Sequence, residues 1–311
     1  MILIILNKLS GSGKSLQIFQ NYVKPYLLNN NYDYTLVNDN NFNNVNFHQI
    51  KKIIIMGGDG TLSYCINNNI CNDKLIYIIP TGSGNGLAKN LNICNIKDSI
   101  NALNCDNKVK IKLQNIKYNN KSKKSFLYIT LGLISDIDID SEWLRYIGDT
   151  RFYYGIIKFL LLGKVLKCYL SYCDQYDHVN DISGDFCMFC SGKLPWISND
   201  FNMIPNINYD DDLIDIIYID RPITFIERCI FLYWFIKKKH IDCCDFIKHI
   251  RVKNYVLEKF NDDSKFVYDG EVLNTNKISV NVTSNMKQNH LHYSLFTSLE
   301  KNDNFITVYK N

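Results

Sequence analysis

Proline is scarce in this chain, five in 311 residues, and no proline-rich stretch marks a linker between domains. Charge of one sign is scarce too. Thirty-five Lys and Arg against 31 Asp and Glu leave a formal net charge of +4, well short of what a nucleic-acid-coating protein carries, so no nucleic-acid partner is expected. Long uninterrupted apolar runs are missing as well. The two greasiest stretches, FYYGIIKFLLLGKVLKCYL (152–170) and FIERCIFLYWFI (225–236), are broken by Lys158, Lys164, Lys167, Glu227 and Arg228, which argues against a transmembrane helix. The opening MILIIL is short and meets the polar NKLSGSGKS with no basic leader before it, so it reads as a buried strand and not as a signal peptide. Eleven cysteines, among them Cys65, Cys94, Cys168 and Cys229, are dispersed without the dense spacing of a disulfide framework. Reduced thiols in a cytoplasmic setting are expected.

What the chain does have is apolar mass. Forty-six per cent of its residues are hydrophobic and 21% charged, enough for one large or two modest domains. No internal repeat is visible, and the Asn-rich segments 38–46 and 67–72 read as surface loops. The match of Asn281-Val-Thr283 to a glycosylation acceptor is of a kind that recurs by chance.

The first third alternates β-branched runs with helical segments: ILIIL (2–6), a helix from about Lys14 to Leu28, YTLV (34–37), KIIIM (52–56), a helix from Leu62, and LIYII (75–79). That alternation predicts a parallel α/β sheet. From about Val109 the character changes to period-two segments, KIKLQNIKY (110–118), FLYITLG (126–132), DIIYID (215–220), NYVLEKF (254–260) and ISVNV (278–282). These predict a mainly antiparallel β domain, interrupted by a helix at roughly 223–239 that ends in Lys237-Lys238-Lys239.

Three glycine-rich loops follow successive strands. The first holds Asn7, Ser10, Gly11, Ser12, Gly13, Lys14 and Ser15 ahead of a helix, where backbone N–H groups favour a phosphate. It is not a P-loop, because Lys8 stands where glycine is required, and Leu16 breaks the dinucleotide fingerprint. The second, Gly57-Gly58-Asp59-Gly60-Thr61, lets backbone approach a nucleotide closely and makes Asp59 a candidate general base. The third, Pro80-Thr81-Gly82-Ser83-Gly84-Asn85-Gly86, adds hydroxyl and amide partners for ribose or phosphate oxygens. Each alone has an ordinary explanation as a glycine turn with an N-cap. Three in succession on the carboxyl ends of strands, where open α/β sheets bind ligands, point to a nucleotide site.

With these loops the sequence resembles the diacylglycerol kinase catalytic-domain superfamily of lipid kinases, itself distantly similar to NAD kinases and phosphofructokinases; GGDGT and PTGSGNGLA carry the resemblance. The segment Gly132–Gly155, with Asp136, Asp138, Asp140, Glu142, Arg145, Arg151 and Phe152, is similar to the sphingosine kinase signature. The likeness continues through 205–240 and the Asp269-Gly270-Glu271 turn. It implies a three-layer α/β nucleotide-binding domain, like that of NAD kinase and phosphofructokinase, over residues 1–108. A lipid-binding antiparallel β-sandwich follows over 109–295, with 296–311 returning to the first domain. It further implies a minimal catalytic core without the family's usual terminal extensions.

By the same resemblance the protein phosphorylates the primary hydroxyl of a sphingoid base with ATP and Mg²⁺. Asp59 corresponds to the base, and Arg145 and Arg151 to arginines holding the ATP phosphates. Asp138 corresponds to the lipid-head-group carboxylate. Glu142 and Phe152 join the lipid side, while Asn7, Ser83, Asn85 and the 269–271 turn match nucleotide-pocket or gate positions. Tyr154, Ile157 and Lys158 resemble a docking patch for an anionic membrane surface, so a cytoplasmic, peripherally membrane-associated enzyme is implied, compatible with a homodimer. Three departures from the pattern stand out: Lys8 in place of the usual Pro, a short 38–51 segment, and Asp212 where Gly is common.

Other readings stay open. A diacylglycerol or ceramide kinase uses the same hydroxyl chemistry, NAD kinase shares GGDGT, and a catalytically silent lipid- or nucleotide-binding homologue would keep the scaffold. The i, i+4 pair Asp138/Glu142 and the i, i+3 pair Glu142/Arg145 also suit an exposed charge ladder. No resident metal site is expected. Cys187-x-x-Cys190 suits strand packing, and His240, Cys243, Cys244 and His249 suit an amphipathic helix end. His290 and His292 lack a carboxylate to complete a triad.

Overall fold

The computed structural model describes residues 1–8, 10–38, 42, 45–82, 84–104, 108–141, 151–261, 264–282 and 305–309. The chain begins with β1 (Ile2–Leu6), a strand buried on both faces. A nearly continuous helix follows: α1 (Ser15–Ile18), a π turn (Phe19–Val23) and α2 (Lys24–Asn29). The widening lies just ahead of Pro25, which has no N–H to return to the preceding turn. Phe19, Val23 and Leu27 recur every four residues and are all buried, which seats this helix on the sheet. Next come β2 (Tyr34–Asn38), β3 (Lys52–Gly57), α3 (Asp59–Asn67), β4 (Leu75–Pro80), α4 (Gly86–Asn90) and α5 (Ile96–Leu103). An Asn95/Asp98 capping box starts α5.

The chain continues as β5 (Lys108–Lys112), β6 (Gln114–Tyr118), β7 (Lys121–Ser125) and β8 (Tyr128–Gly132), then α6 (Leu133–Ser141) and α7 (Arg151–Leu162). After β9 (Leu166–Asp174), β10 (Val179–Phe186), β11 (Met188–Gly192) and β12 (Ile214–Ile219) come α8 (Phe225–Ile236) and α9 (His240–Cys243). The last strands are β13 (Lys248–Lys259), β14 (Phe266–Tyr268), β15 (Glu271–Leu273), β16 (Lys277–Asn281) and β17 (Phe305–Tyr309).

Two sheets result. The first has the order β2-β1-β3-β4-β17-β5, parallel except for the β17–β5 pair. Helices cover both its faces. Leu3 and Ile5 pack with α3 and α4, while Ile2, Ile4 and Leu6 pack with α1, α2 and α5. This is a three-layer α/β unit. Residues 108–112 belong to it, since Val109 and Ile111 bury themselves beside Val308 and Ile306. The chain therefore crosses between sheets at Leu113, not at 108/109, and KIKLQNIKY is split between them.

The second sheet is antiparallel and eleven-stranded, with β9 and β10 branching from β13. It curls on itself, so that Ile116 of β6, Ile129 of β8 and Leu170 of β9 share one core. Asn119 Nδ2 donates to the Asn274 carbonyl (3.3 Å) and Thr275 Oγ1 to Asn119 Oδ1 (3.2 Å), carrying the β6–β16 pairing on into the adjoining loops. A further apolar core runs unbroken from the parallel sheet into the curled one through Leu127, Tyr128, Leu194 and Met203.

Candidate active site at the edge of the parallel sheet

Register brings the three glycine-rich loops together. Leu6 of β1 pairs with Met56 of β3, and Met56 with Ile79 of β4, so the strands end level. Side chains then tie the loops to one another. Asn7 Nδ2 donates to Thr61 Oγ1 (3.1 Å), and Thr81 Oγ1 bonds Ser10 Oγ (3.1 Å). Ser15 Oγ donates back to the Asn7 carbonyl (2.7 Å). Between the second and third loops no side chain fits. A Cβ on Gly82 would stand 2.5 Å from Gly58 Cα, and one on Gly58 3.2 Å from Gly82 Cα. Asn85 enters α4 with a left-handed backbone (φ 42°). Its Oδ1 is buried beside this contact without a hydrogen-bond partner among the described residues, an acceptor that a donor group on a ligand could satisfy.

Asp59 opens α3 and turns its carboxylate across to the third loop. Oδ2 accepts from Gly86 N–H (2.7 Å) and Oδ1 from Leu87 N–H (3.1 Å), while Gly84 lies beside Oδ2. Burial pushes its pKa up to about 6, against the lowering effect of the Leu87 and Gly86 donors. Such a carboxylate is ionised at neutral pH yet takes a proton readily, which suits a general base.

The curled sheet supplies the opposite wall. The hairpin β14–β15 turns at Asp269 and Gly270, both with positive φ (47° and 83°), and puts Glu271 over Gly60. Asp269 is buried within the curled sheet. Its carboxylate accepts from Ser125 Oγ (2.8 Å) and from the N–H groups of Phe126, Leu127 and Tyr128 (3.0, 3.0 and 3.1 Å), which makes it the anchor of the hairpin. The β11–β12 connection, 193–213, reaches over α4. Its ends are stapled by Lys193, fully buried, whose ammonium donates to the carbonyls of Leu213 (2.6 Å) and Asp211 (3.0 Å) and to the Asp211 carboxylate (3.2 Å).

A shallow, open cleft lies between α6 and α7, lined by Leu133, Asp136, Ile137, Asp140, Lys158 and Lys164 among others. Lys158 pairs with Asp140 (2.6 Å) and Lys164 with Asp136 (3.6 Å). Asp136 Oδ1 also accepts from Ser264 Oγ (2.7 Å), and burial raises its pKa above the ordinary carboxylate value. Asp138 is half-buried on the same helix but does not line the cleft. The two carboxylates that do are spaced i, i+4, a signal present in the sequence.

Ser83, Glu142 and Arg145 lie outside the described residues, as do the side chains of Ser12, Arg151 and Phe152; so do His290 and His292. His240 is a core residue, with Nε2 bonded to the Met203 carbonyl (2.8 Å) and its ring against Phe231 and Phe235. The described residues hold no group of three His, Cys, Asp or Glu side chains at metal-binding spacing, and no helix among them is long and apolar enough to cross a membrane.

Comparison with known proteins agrees with this architecture. Residues 1–116 match the family model of the diacylglycerol kinase catalytic domain. Sphingosine kinase 1 of Caenorhabditis elegans is 25% identical, the match covering 96% of this chain and 81% of that protein. Among solved structures, a diacylglycerol kinase from Bacillus anthracis superposes with a TM-score of 0.64 at 16% identity, covering 100% of this chain and 96% of the other. An NAD kinase from Archaeoglobus fulgidus, in complex with ATP, gives 0.53 at 11% identity over 100% and 94%. Both structures establish the fold alone.

Proposed function

We propose, for a chain whose residues 1–116 match the diacylglycerol kinase catalytic-domain family model, that it transfers the γ-phosphoryl group of ATP to the primary hydroxyl of a sphingoid base. The observation that carries this reading is Asp59, a carboxylate fixed by two backbone donors where three glycine-rich loops meet. Asp59 takes the hydroxyl proton as the lipid oxygen bonds the γ-phosphorus, the bond to the β–γ bridging oxygen breaks, and ADP leaves. The Gly58–Gly82 cradle, Ser10, Thr81 and the unpaired Asn85 Oδ1 fit a nucleotide, with Glu271 as its gate and the hairpin anchored by Asp269 behind it. Arg145 and Arg151 would neutralise phosphate charge, as would Mg²⁺ carried on the triphosphate.

The choice of a sphingoid base rests on carboxylates suited to its ammonium group. Asp138, with Glu142 and Phe152, is the proposed head-group site, and Asp136 and Asp140 line the adjoining cleft. Membrane access fits the outer faces of α7 and α8. Tyr154, Ile157 and Leu161 form one exposed apolar face at i, i+3, i+7, and α8 exposes Phe225, Ile226, Ile230, Tyr233 and Ile236 ahead of Lys237-Lys238-Lys239. Arg228 Nη1 joins the two helices through the Leu160 carbonyl (2.8 Å).

The test is transfer of label from γ-³²P-ATP to sphingosine, diacylglycerol, ceramide and NAD offered in parallel. Sphingosine is the expected acceptor. Labelling of NAD, or of a neutral lipid in preference to sphingosine, contradicts the proposal, and labelling of none supports a silent homologue.

A further inference from the structure

We propose that Asn90 is a positioning residue for phosphoryl transfer: it latches the β11–β12 connection of the curled sheet onto α4 and so holds the Gly86 and Leu87 N–H groups on Asp59. The inference rests on the reading of Asp59 as the base. Asn90 occupies the last turn of α4, one turn beyond those two donors. Its amide makes three bonds. Nδ2 donates to the Trp196 carbonyl (2.8 Å) and to the Gly86 carbonyl (2.7 Å), and Oδ1 accepts from Trp196 N–H (2.9 Å). One side chain thus satisfies both backbone groups of a residue 106 positions away, as a neighbouring β-strand would, while gripping the carbonyl of the very residue whose N–H binds Asp59.

The surroundings fit a latch better than an incidental surface bond. Asn199 N–H donates to the Gly84 carbonyl (2.8 Å), so the connection touches the third loop on both sides of Asn85. Gly86 backs directly onto it, since a Cβ there would stand 2.5 Å from the Ile197 carbonyl oxygen. The ammonium groups of Lys89 (4.9 Å) and Lys238 (4.5 Å) both stand over the Trp196 indole. The far ends of the connection are stapled by Lys193. The catalytic carboxylate belongs to the parallel sheet, but its donors are clamped from the curled one. Hence the relative placement of the two sheets is felt at Asp59. On the other side Glu271 stands over Gly60.

The test uses the full-length protein with ¹³Cγ-labelled aspartate, the Asp59 signal being assigned by its loss in Asp59→Asn. In Asn90→Leu and Asn90→Ala the Asp59 titration midpoint is expected to move up, because the donors that lower it are released. Amide exchange at Gly86 and Leu87 should quicken by about tenfold or more. Turnover should fall by about ten- to a hundredfold with KM for ATP within about threefold. Wild-type midpoint and exchange rates in both variants overturn the latch. Should neither variant fold, the wild type decides it: Trp196, Gly86 and Leu87 amides are expected to exchange through one shared opening, and independent openings overturn the proposal. The titration midpoint and the exchange rates need no lipid turnover, so a protein inactive on every lipid would refute the kinase reading and leave the latch judged on those two measurements.

Discussion

Gly58 and Gly82 meet backbone to backbone, with the place of a Gly82 Cβ only 2.5 Å from the Gly58 Cα. The contact joins the loop bearing Asp59 to the loop whose amides hold it, and it depends on two hydrogen atoms standing where side chains would be.

Gly82→Ala should therefore wedge the loops apart. Overpacking of this kind costs about 1–3 kcal/mol, and the two nearest atoms, Gly58 Cα and N, are backbone and cannot swing aside. Calorimetry should show a lower Tm and weakened ATP binding; an unchanged Tm and affinity would count against the contact.

The raised pKa of Asp59 makes activity and stability respond oppositely to pH. As a base it must be ionised, so kcat/KM should climb through about 6 and level off above it, falling about tenfold per unit on the acid side. Its folded pKa lies above the ordinary aspartate value of 3.8. Its contribution to stability is therefore full below 3.8 and lost as pH rises through about 6. A rate profile flat from pH 5 to 8 would remove Asp59 from the proton transfer.

Asp269→Ala would leave the N–H groups of Phe126, Leu127 and Tyr128 without their acceptor. Buried unpaired donors cost about 1–3 kcal/mol each. A loss of at least about 3 kcal/mol in denaturant unfolding is expected, accompanied by reduced ATP affinity as Glu271 drifts. A stability within about 1 kcal/mol of wild type contradicts the anchoring role.

Asp138→Asn and Asp136→Asn separate two head-group readings. Loss of sphingosine turnover with ATP binding intact is expected of Asp138→Asn. If Asp136→Asn alone has that effect, the amine belongs in the cleft between α6 and α7.

For the membrane face, co-sedimentation with anionic liposomes should fall when Tyr154 and Ile157 are made polar and Lys158 is changed to Glu. Undiminished binding would move the docking surface off α7.

Much of the parallel sheet is legible in the sequence because its strands are buried on both faces. ILIIL, KIIIM and LIYII are continuous β-branched runs, and the three loops follow directly from where those runs stop. The crossing at Leu113 is not legible, since KVKIK and QNIKY alternate alike and only their partners, β17 and β16, differ. Asn90 escaped notice for a related reason. A side chain that pairs with a backbone 106 residues away leaves no local period, and its neighbours Leu87, Ala88 and Leu91 are all core residues. Asp136 and Asp140 did carry a period, but one shared with every exposed charged helix.

Transfer of ³²P from γ-labelled ATP to sphingosine by wild type and by Asp59→Asn, at saturating ATP, bears most directly on the proposed chemistry. The account predicts a fall of about 10²–10⁴-fold in turnover with ATP affinity within about threefold. Turnover in the variant close to that of the wild type would contradict it.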